Sequence, residues 1–210
     1  MQLSMSIKRK INDIRCLPES LSAKRETIHI LCIALLGLAL GIGAKAIDGH
    51  AAFANIGDLL GVWVFTATLV AVFSRTPLLA ALNTVVFFLA LLGGYYSYTK
   101  LVLGFFPRSY FYGWLVVSFL SSIAGFIVWF ARGKGWAAVI CASLPAALLM
   151  AEGYPAFYTY KAALILDLLF AAALLLILPK KWPQKGIALL VSAALSFLMV
   201  KLNIVGMFPW

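Results

Sequence analysis

The chain has 210 residues, of which 64% are hydrophobic and 11% are charged, and its net charge is +10. A typical soluble domain has roughly 45–50% apolar and about 25% charged residues, so this composition excludes an ordinary soluble domain. The length allows about seven membrane spans of roughly 20 residues, with no room for a second folded domain. The basic residues lie mostly between apolar runs, which indicates contact with anionic lipid headgroups at the cytoplasmic face and excludes nucleic acid as the partner.

Residues 1–27 form a basic, polar leader before the first apolar run. Leu3, Ile7, Ile11 and Ile14 recur at helical spacing, which is typical of an amphipathic helix at the membrane interface. A loosely ordered basic tail is the alternative interpretation. The first apolar run is as long as a span and is not followed by a small-residue cleavage site, so we interpret it as an uncleaved anchor. The membrane domain is then 28–210.

Seven apolar runs predict an all-α, polytopic bundle of transmembrane helices. We place the spans near residues 28–47, 55–73, 78–98, 111–130, 136–152, 158–178 and 187–206. Basic residues are concentrated in the leader and in three alternate connections, at Arg75, at Arg132 and Lys134, and at Lys180, Lys181 and Lys185. The positive-inside rule therefore predicts that the N-terminus is inside and the C-terminus outside.

Two span ends have similar sequences. The segment Asp48-Gly-His-Ala-Ala-Phe53 follows span 1, and Glu152-Gly-Tyr-Pro-Ala-Phe157 follows span 5. When these two segments are aligned, Pro77, which precedes span 3, falls close to Pro183, which precedes span 7. This similarity predicts a 3+1+3 arrangement of two parallel repeats, a design used by some transporters. Chance similarity among common residues is the alternative.

A groove of small residues ends at a charged pair at the end of span 1. Gly37, Gly41 and Ala44 share a helix face that continues to Lys45 and Asp48. Small residues at this spacing allow helices to pack closely in a membrane. Lys45 and Asp48 are three residues apart and can pair with each other. The pair is therefore interpreted either as a salt-bridged helix end or as part of a site.

Polar residues are gathered at the span ends on the predicted outer side. A charge in the bilayer core costs roughly 3 kcal/mol or more unless it is paired or hydrated, so such residues usually face a cavity or a partner. We therefore predict an outward-facing pocket for a small molecule. Its candidate ligand residues are Lys45, Asp48, Asp58, Tyr95, Tyr96, Tyr98, Glu152, Lys161, Asp167 and Lys201. Helix-end salt bridges and an aromatic belt are the alternative interpretation.

Asp167 lies near the middle of span 6, with apolar residues on both sides in sequence. Lys161 is too far along the same helix for direct contact, so a partner for Asp167 must come from another span. Lys201 is the nearest candidate by predicted depth. An Asp167–Lys201 pair would either be architectural or line a polar route.

Motifs of soluble enzymes do not occur: there is no P-loop, HExxH or GxSxG sequence. Two histidines, His29 and His50, are too few for a histidine-ligated zinc hydrolase. Three cysteines have no paired spacing, so we predict neither a disulfide framework nor a thiolate metal site, and we predict no cofactor.

The sequence thus favours transport or solute binding over catalysis. One alternative is a membrane enzyme that acts on lipid headgroups with Asp48, His50 and Asp58. The other is a regulatory or assembly subunit whose leader docks a membrane or cytoplasmic partner. Binding of a small molecule would support transport or solute binding, and turnover of lipid would support the enzyme. Co-purification that depends on residues 1–27 would support the subunit.

Four segments between residues 40 and 140 resemble an uncharacterised family of small bacterial multi-pass membrane proteins. They are Ala44-Lys45-Ala-Ile-Asp48, Ser74-Arg75-Thr-Pro77 with Ala80-Ala81, Phe87-Phe88 through Tyr95-Tyr96-Ser-Tyr98, and Trp129-Phe-Ala-Arg-Gly-Lys-Gly-Trp136. The resemblance implies a multi-pass protein of the bacterial cytoplasmic membrane. It implies no activity and transfers no functional residue.

Overall fold

The computed structural model describes residues 11–17, 22–47, 60–159 and 161–207. Within these ranges the chain is 87% helical and has no strand. The helices are α1 (Ala23–Ile47), α2 (Leu60–Phe73), α3 (Pro77–Val102), α4 (Arg108–Val128), α5 (Gly135–Gly153), α6 (Ala156–Thr159), α7 (Ala162–Ile177) and α8 (Trp182–Lys201). A 3₁₀ turn, Trp129–Arg132, follows α4, and another, Val205–Met207, follows α8.

Five helical segments of the described chain are long and apolar enough to cross a membrane. These are α1, α3, α4 with its 3₁₀ turn, α5 with α6, and α8. Helices α2 and α7 are apolar but have only 14 and 16 residues. The predicted all-helical, multi-pass class is confirmed, whereas the count of seven spans, the orientation and the repeat stay predictions.

The start of α3 shows how local sequence fixes a helix boundary. Thr76 has extended backbone angles, and its side-chain oxygen accepts a hydrogen bond from the Leu79 N–H at 3.1 Å. Pro77 follows as the first helical residue. An N–H group at this position would have no acceptor within the helix, so proline, which lacks an N–H, breaks no hydrogen bond here. The short connection after α2 therefore reverses the chain directly into α3.

Helices α1 and α3 pack with their backbones in close contact. A Cβ atom added at Gly37 or Gly41 would collide with the carbonyl oxygen of Phe87 or Leu91, and one added at Gly94 would collide with α1 in return. Only glycine permits this approach, as in other small-residue helix pairs in membranes. The small-residue groove predicted on span 1 is confirmed.

Helices α2 and α5 occupy the middle of the bundle. Helix α2 contacts α3, α4, α5 and α7, while α5 also packs against α8. In the 18 most apolar consecutive residues of the span that contains α5, 56% are buried, against 11% in those of α8, so α5 is the most enclosed of the five spans. The polar side chains of Thr68 on α2 and of Ser143 and Glu152 on α5 are therefore buried in protein.

The described part of the leader, residues 11–17, is docked on the end of the bundle where α2 and α4 end. The guanidinium of Arg15 donates hydrogen bonds to the carbonyl oxygens of Val72, at 2.8 Å, and Trp129. The Lys134 N–H donates to the Ile14 carbonyl at 2.8 Å. We call this the leader end of the bundle, and the opposite end, where α2 begins, the far end.

Arg15 acts as a cap for two helix C-termini. The last carbonyl groups of a helix lack intrahelical donors and carry partial negative charge, so a cation stabilises them. The guanidinium also lies over the Trp129 ring, with Cζ 4.2 Å from its centroid. Burial, and secondarily the charge of Arg132, lowers the pKa of Arg15 to about 10. Arg15 therefore remains a cation at neutral pH.

Candidate functional site

Two carboxyl groups meet inside the far end of the bundle. Glu152 lies in the last turn of α5 and Asp167 in the second turn of α7, with 7% and 0% of their surfaces exposed. The two groups are close enough to interact electrostatically. We call them the carboxyl pair, and both are directed at the first residues of α2.

The start of α2 positions Glu152. The Leu60 N–H donates a hydrogen bond to Glu152 Oε1 at 2.9 Å, and the Gly61 N–H also interacts with this carboxyl group. The first N–H groups of a helix have no intrahelical acceptor and carry partial positive charge. Glu152 therefore caps α2 from another helix, in the way that anions are held at helix N-termini.

Two glycines bring the three helices together around the carboxyl pair. A Cβ atom at Gly61 would collide with Asp167 Oδ1, so the absence of a side chain on α2 creates the space that Asp167 occupies. A Cβ atom at Gly153 would lie 2.8 Å from Leu168 Cδ2 and 2.9 Å from the Leu164 carbonyl oxygen. Glycine at both positions is therefore required for α2, α5 and α7 to approach this closely.

Three of the four carboxyl oxygens have no hydrogen-bond partner within the described chain. These are Glu152 Oε2 and both oxygens of Asp167. Helix α2 brings no titratable side chain to the pair, because Leu60–Phe73 contains none. Two buried carboxylates close to each other repel, which disfavours the state in which both are charged.

The predicted Asp167–Lys201 pair is wrong. Lys201 is exposed at the end of α8, where its Nζ lies over the Phe197 ring, 5.6 Å from the centroid. Matching depth along two helices suggested the pair, but the rotation of α8 turns Lys201 away from the bundle. Asp167 instead faces Glu152 and Gly61.

Two further predicted ligand residues meet on α1 and α3. Lys45 Nζ donates to Tyr95 Oη at 3.3 Å and lies 5.0 Å from the centre of the Tyr95 ring. Tyr96 instead packs inward with 5% of its surface exposed, and its ring is 5.7 Å from that of Phe106 and 5.2 Å from that of Phe111. Of these two predicted ligand residues, Tyr95 thus contacts a cation and Tyr96 packs among aromatic rings.

The remaining predicted site residues have less defined surroundings. Tyr98 is half-buried, and Lys161 is exposed at the cap position of α7. Asp48 and Asp58 lie outside the described residues, as does His50 of the enzyme hypothesis. Within the described ranges, no group of three or more histidine, cysteine or acidic residues could hold a metal ion.

A cavity of about 560 Å³ was not foreseen from the sequence. It lies between α2, α3, α4 and α5, with Met199 of α8 beside it. Its walls are apolar apart from the hydroxyl groups of Thr68, Thr84 and Ser121 and the indole of Trp114. Leu60, which donates to Glu152, lines one end of it, and Pro145 in the middle of α5 lines its side. Apolar walls give no sequence signal that separates a cavity from a packed core.

Comparison with known proteins gives a family and no activity. A model described as a family of unknown function (DUF6518) matches residues 21–206. No curated protein and no solved structure matches the chain. The match includes the whole carboxyl pair and the start of α2, and it confirms the expectation of an uncharacterised family.

Proposed function

The chain belongs to DUF6518, a family of unknown function, and from this premise we propose that it is a membrane transport or solute-binding protein that exchanges protons at its carboxyl pair. Glu152 and Asp167 hold one proton between them, and its loss or uptake changes the charge inside the far end of the bundle. The transported or bound solute is a small molecule that enters from the far side.

The observation that carries this proposal is the complete burial of Asp167 beside Glu152, with neither Asp167 oxygen hydrogen-bonded within the described chain. Ionisable groups inside membrane bundles are rare and commonly serve as proton relays or line ion routes. A proton is the smallest cation and needs no cavity, which suits a carboxyl group packed directly against Gly61. Two adjacent carboxyl groups provide both the donor and the acceptor for a shared proton.

The short helix α2 supports the proposal. Transporters often direct the N-terminus of a short or interrupted helix at a charged group within the membrane. Here α2 has 14 residues, and its first N–H groups meet Glu152. A change in the charge of the carboxyl pair would therefore act directly on the position of α2, which contacts four other helices.

The location and orientation belong to the same proposal. The basic leader and the basic connections at the leader end favour a cytoplasmic leader end in a bacterial plasma membrane. The far end, with the carboxyl pair and the Lys45–Tyr95 contact, then faces outward. Lys45 and Tyr95 would be available to a solute, together with Asp48, Asp58, Tyr98 and Lys161.

The two alternatives have less support. The enzyme hypothesis rests on residues 48–58, which are outside the described ranges. The subunit hypothesis needs the leader for a partner, whereas residues 11–17 contact the bundle itself.

Carbodiimide labelling in a lipid bilayer tests the site. A hydrophobic carbodiimide reacts with protonated carboxyl groups in apolar surroundings, so we expect one adduct per chain, mapped to Glu152 or Asp167 by peptide mass spectrometry. Asp167→Asn combined with Glu152→Gln should abolish the adduct. The matched control, Asp13→Asn, removes an exposed acid of the leader and should leave labelling unchanged. Labelling that maps elsewhere, or none in the unmodified sequence, would contradict the proposal.

A further inference from the structure

The apolar cavity of about 560 Å³ is elongated and follows helix α4. The residues of α4 that line it recur from Trp114 to Val128, a distance of about 21 Å at the usual helical rise per residue. Helix α4 packs mainly against α3, whereas α5 packs mainly against α7 and α8, so these two consecutive helices leave a space between them. The shape of this space suits a molecule with an extended chain.

The cavity opens sideways, at the depth where the hydrocarbon of a membrane lies. Leu120 and Ile123 line it and yet have 58% and 59% of their surfaces exposed, and Ala124 beside them is also exposed. These residues lie near the middle of the span Arg108–Arg132, remote from either membrane–water interface. A molecule that enters here therefore comes from within the bilayer.

The walls of the cavity offer no partner for a charge. None of the described residues that line it has a titratable side chain. A charged group moved into apolar surroundings without a counter-ion is strongly disfavoured. The part of a ligand that occupies the cavity is therefore uncharged.

One hydroxyl group in the wall has no hydrogen-bond partner. Thr84 Oγ1 donates to the Ala80 carbonyl at 2.7 Å, so its proton is already engaged. Ser121 Oγ likewise donates to a backbone carbonyl of its own helix, at 2.6 Å. Thr68 has 5% of its surface exposed, and its hydroxyl makes no hydrogen bond within the described chain. Unlike the oxygens of Asp167, Thr68 Oγ1 is not fully enclosed by protein atoms, and the cavity is the space beside it.

We propose that this cavity binds an uncharged, chain-like molecule with one hydroxyl or carbonyl oxygen, such as a long-chain alcohol, and takes it up from the bilayer. The chain lies along α4 between apolar walls, and its oxygen forms a hydrogen bond with Thr68 Oγ1. A water molecule is a poorer occupant, since it needs several polar partners in one place. This site is separate from the carboxyl pair, so the inference goes beyond the proposed function and does not depend on proton exchange.

Competition against a photoreactive hexadecanol, with a diazirine in its chain, tests the inference in liposomes that contain the protein. We expect adducts on α4 between Trp114 and Val128 or on α5 near Pro145, mapped by peptide mass spectrometry. At equal concentrations in the bilayer, unlabelled hexadecanol should compete about five-fold better than hexadecane, as one net hydrogen bond would produce. Hexadecyl sulfate, which has the same chain and a permanent charge, should compete no better than hexadecane.

Two variants with matched controls connect this preference to the cavity. Thr68→Val should make hexadecanol and hexadecane compete equally. Thr66→Val is its control, since Thr66 lies on the same helix, donates to the Val62 carbonyl at 2.8 Å and does not line the cavity. Ala124→Phe should reduce the labelling that hexadecanol can displace, because the ring fills the mouth of the cavity. Val116→Phe, at an exposed position of α4 outside the lining, should leave that labelling unchanged.

The inference fails if hexadecanol does not displace the label, or if its advantage over hexadecane survives in Thr68→Val. Equal competition by hexadecane in the unmodified sequence would show that Thr68 contributes nothing and that any hydrocarbon fills the space. Competition by hexadecyl sulfate as strong as that by hexadecanol would contradict the requirement for an uncharged ligand. The assay uses no pH gradient, so its failure and the failure of proton exchange at the carboxyl pair are distinguishable.

Discussion

Helix α2 is held at both ends by charged side chains that come from elsewhere in the chain. At its C-terminal end, Arg15 donates to the Val72 carbonyl, and at its N-terminal end, Glu152 accepts from the Leu60 N–H. Both contacts complement the helix dipole. At the leader end, however, the guanidinium also contacts the carbonyl and the ring of Trp129.

At the far end, by contrast, some hydrogen-bond acceptors have no donor in the described chain. Glu152 Oε2 and both oxygens of Asp167 have no partner in the described chain, whereas the leader-end cap joins a cation to carbonyl groups that need donors. A satisfied cap contributes stability. An unsatisfied, buried pair of acids detracts from stability and is instead suited to taking up and releasing a proton. The predictions below test this difference.

Arg15→Ala should have the largest effect on stability. It removes two hydrogen bonds and a cation–π contact and leaves the Val72 and Trp129 carbonyls without a donor, so the free energy of unfolding should fall by about 3 kcal/mol. Thermal unfolding in detergent measures the change. Arg25→Ala, at an exposed position in α1, is the control and should have little effect. Equal stability of the two variants would show that the leader contact contributes nothing.

Gly61→Ala should have the next largest effect, since its Cβ collides with Asp167. Overpacking at a rigid site typically lowers the free energy of unfolding by about 2 kcal/mol. Adding Asp167→Ala to Gly61→Ala should restore part of the loss, because the smaller side chain vacates the space. Gly43→Ala is the control, since a Cβ there meets open space. No recovery in the double variant would mean that Asp167 does not lie against Gly61.

Asp167→Asn should have the smallest effect, and in the opposite direction. The amide has the same shape but cannot ionise, so the free energy of unfolding should rise by about 1 kcal/mol at neutral pH, because a charge on a carboxylate buried at this position is unfavourable. Chemical denaturation in mild detergent measures it. A loss of stability comparable to that of Arg15→Ala would indicate that Asp167 is a structural group with a partner of its own.

Several features of the fold were predictable because they depend on local sequence. Apolar runs of span length give the helices, and Gly37 and Gly41 on one face give the close packing of α1 on α3. Helices α1 and α3 pack together, as do α5 and α8, and these helices correspond to the first and third spans of the two predicted repeats. The repeat itself stays a prediction.

The arrangement of the site was harder to predict from the sequence. Glu152 and Asp167 were both expected to be ligand residues, but sequence gives the depth of a side chain and not the rotation of its helix about the bundle. For that reason Lys201 was assigned to Asp167, and Gly61, which provides the space, was not considered. Arg15 was interpreted as one of many topology-setting charges, because nothing in the leader sequence indicates that it returns to the bundle.

Proton movement across a lipid bilayer tests the central claim most directly. Purified protein is placed in liposomes that contain a pH-sensitive dye, and a potassium diffusion potential is imposed with valinomycin. The account predicts proton movement faster than in protein-free liposomes, unchanged in Asp13→Asn and lost in Asp167→Asn and in Glu152→Gln. Proton movement no faster than in empty liposomes, or the full rate in Asp167→Asn, would contradict it.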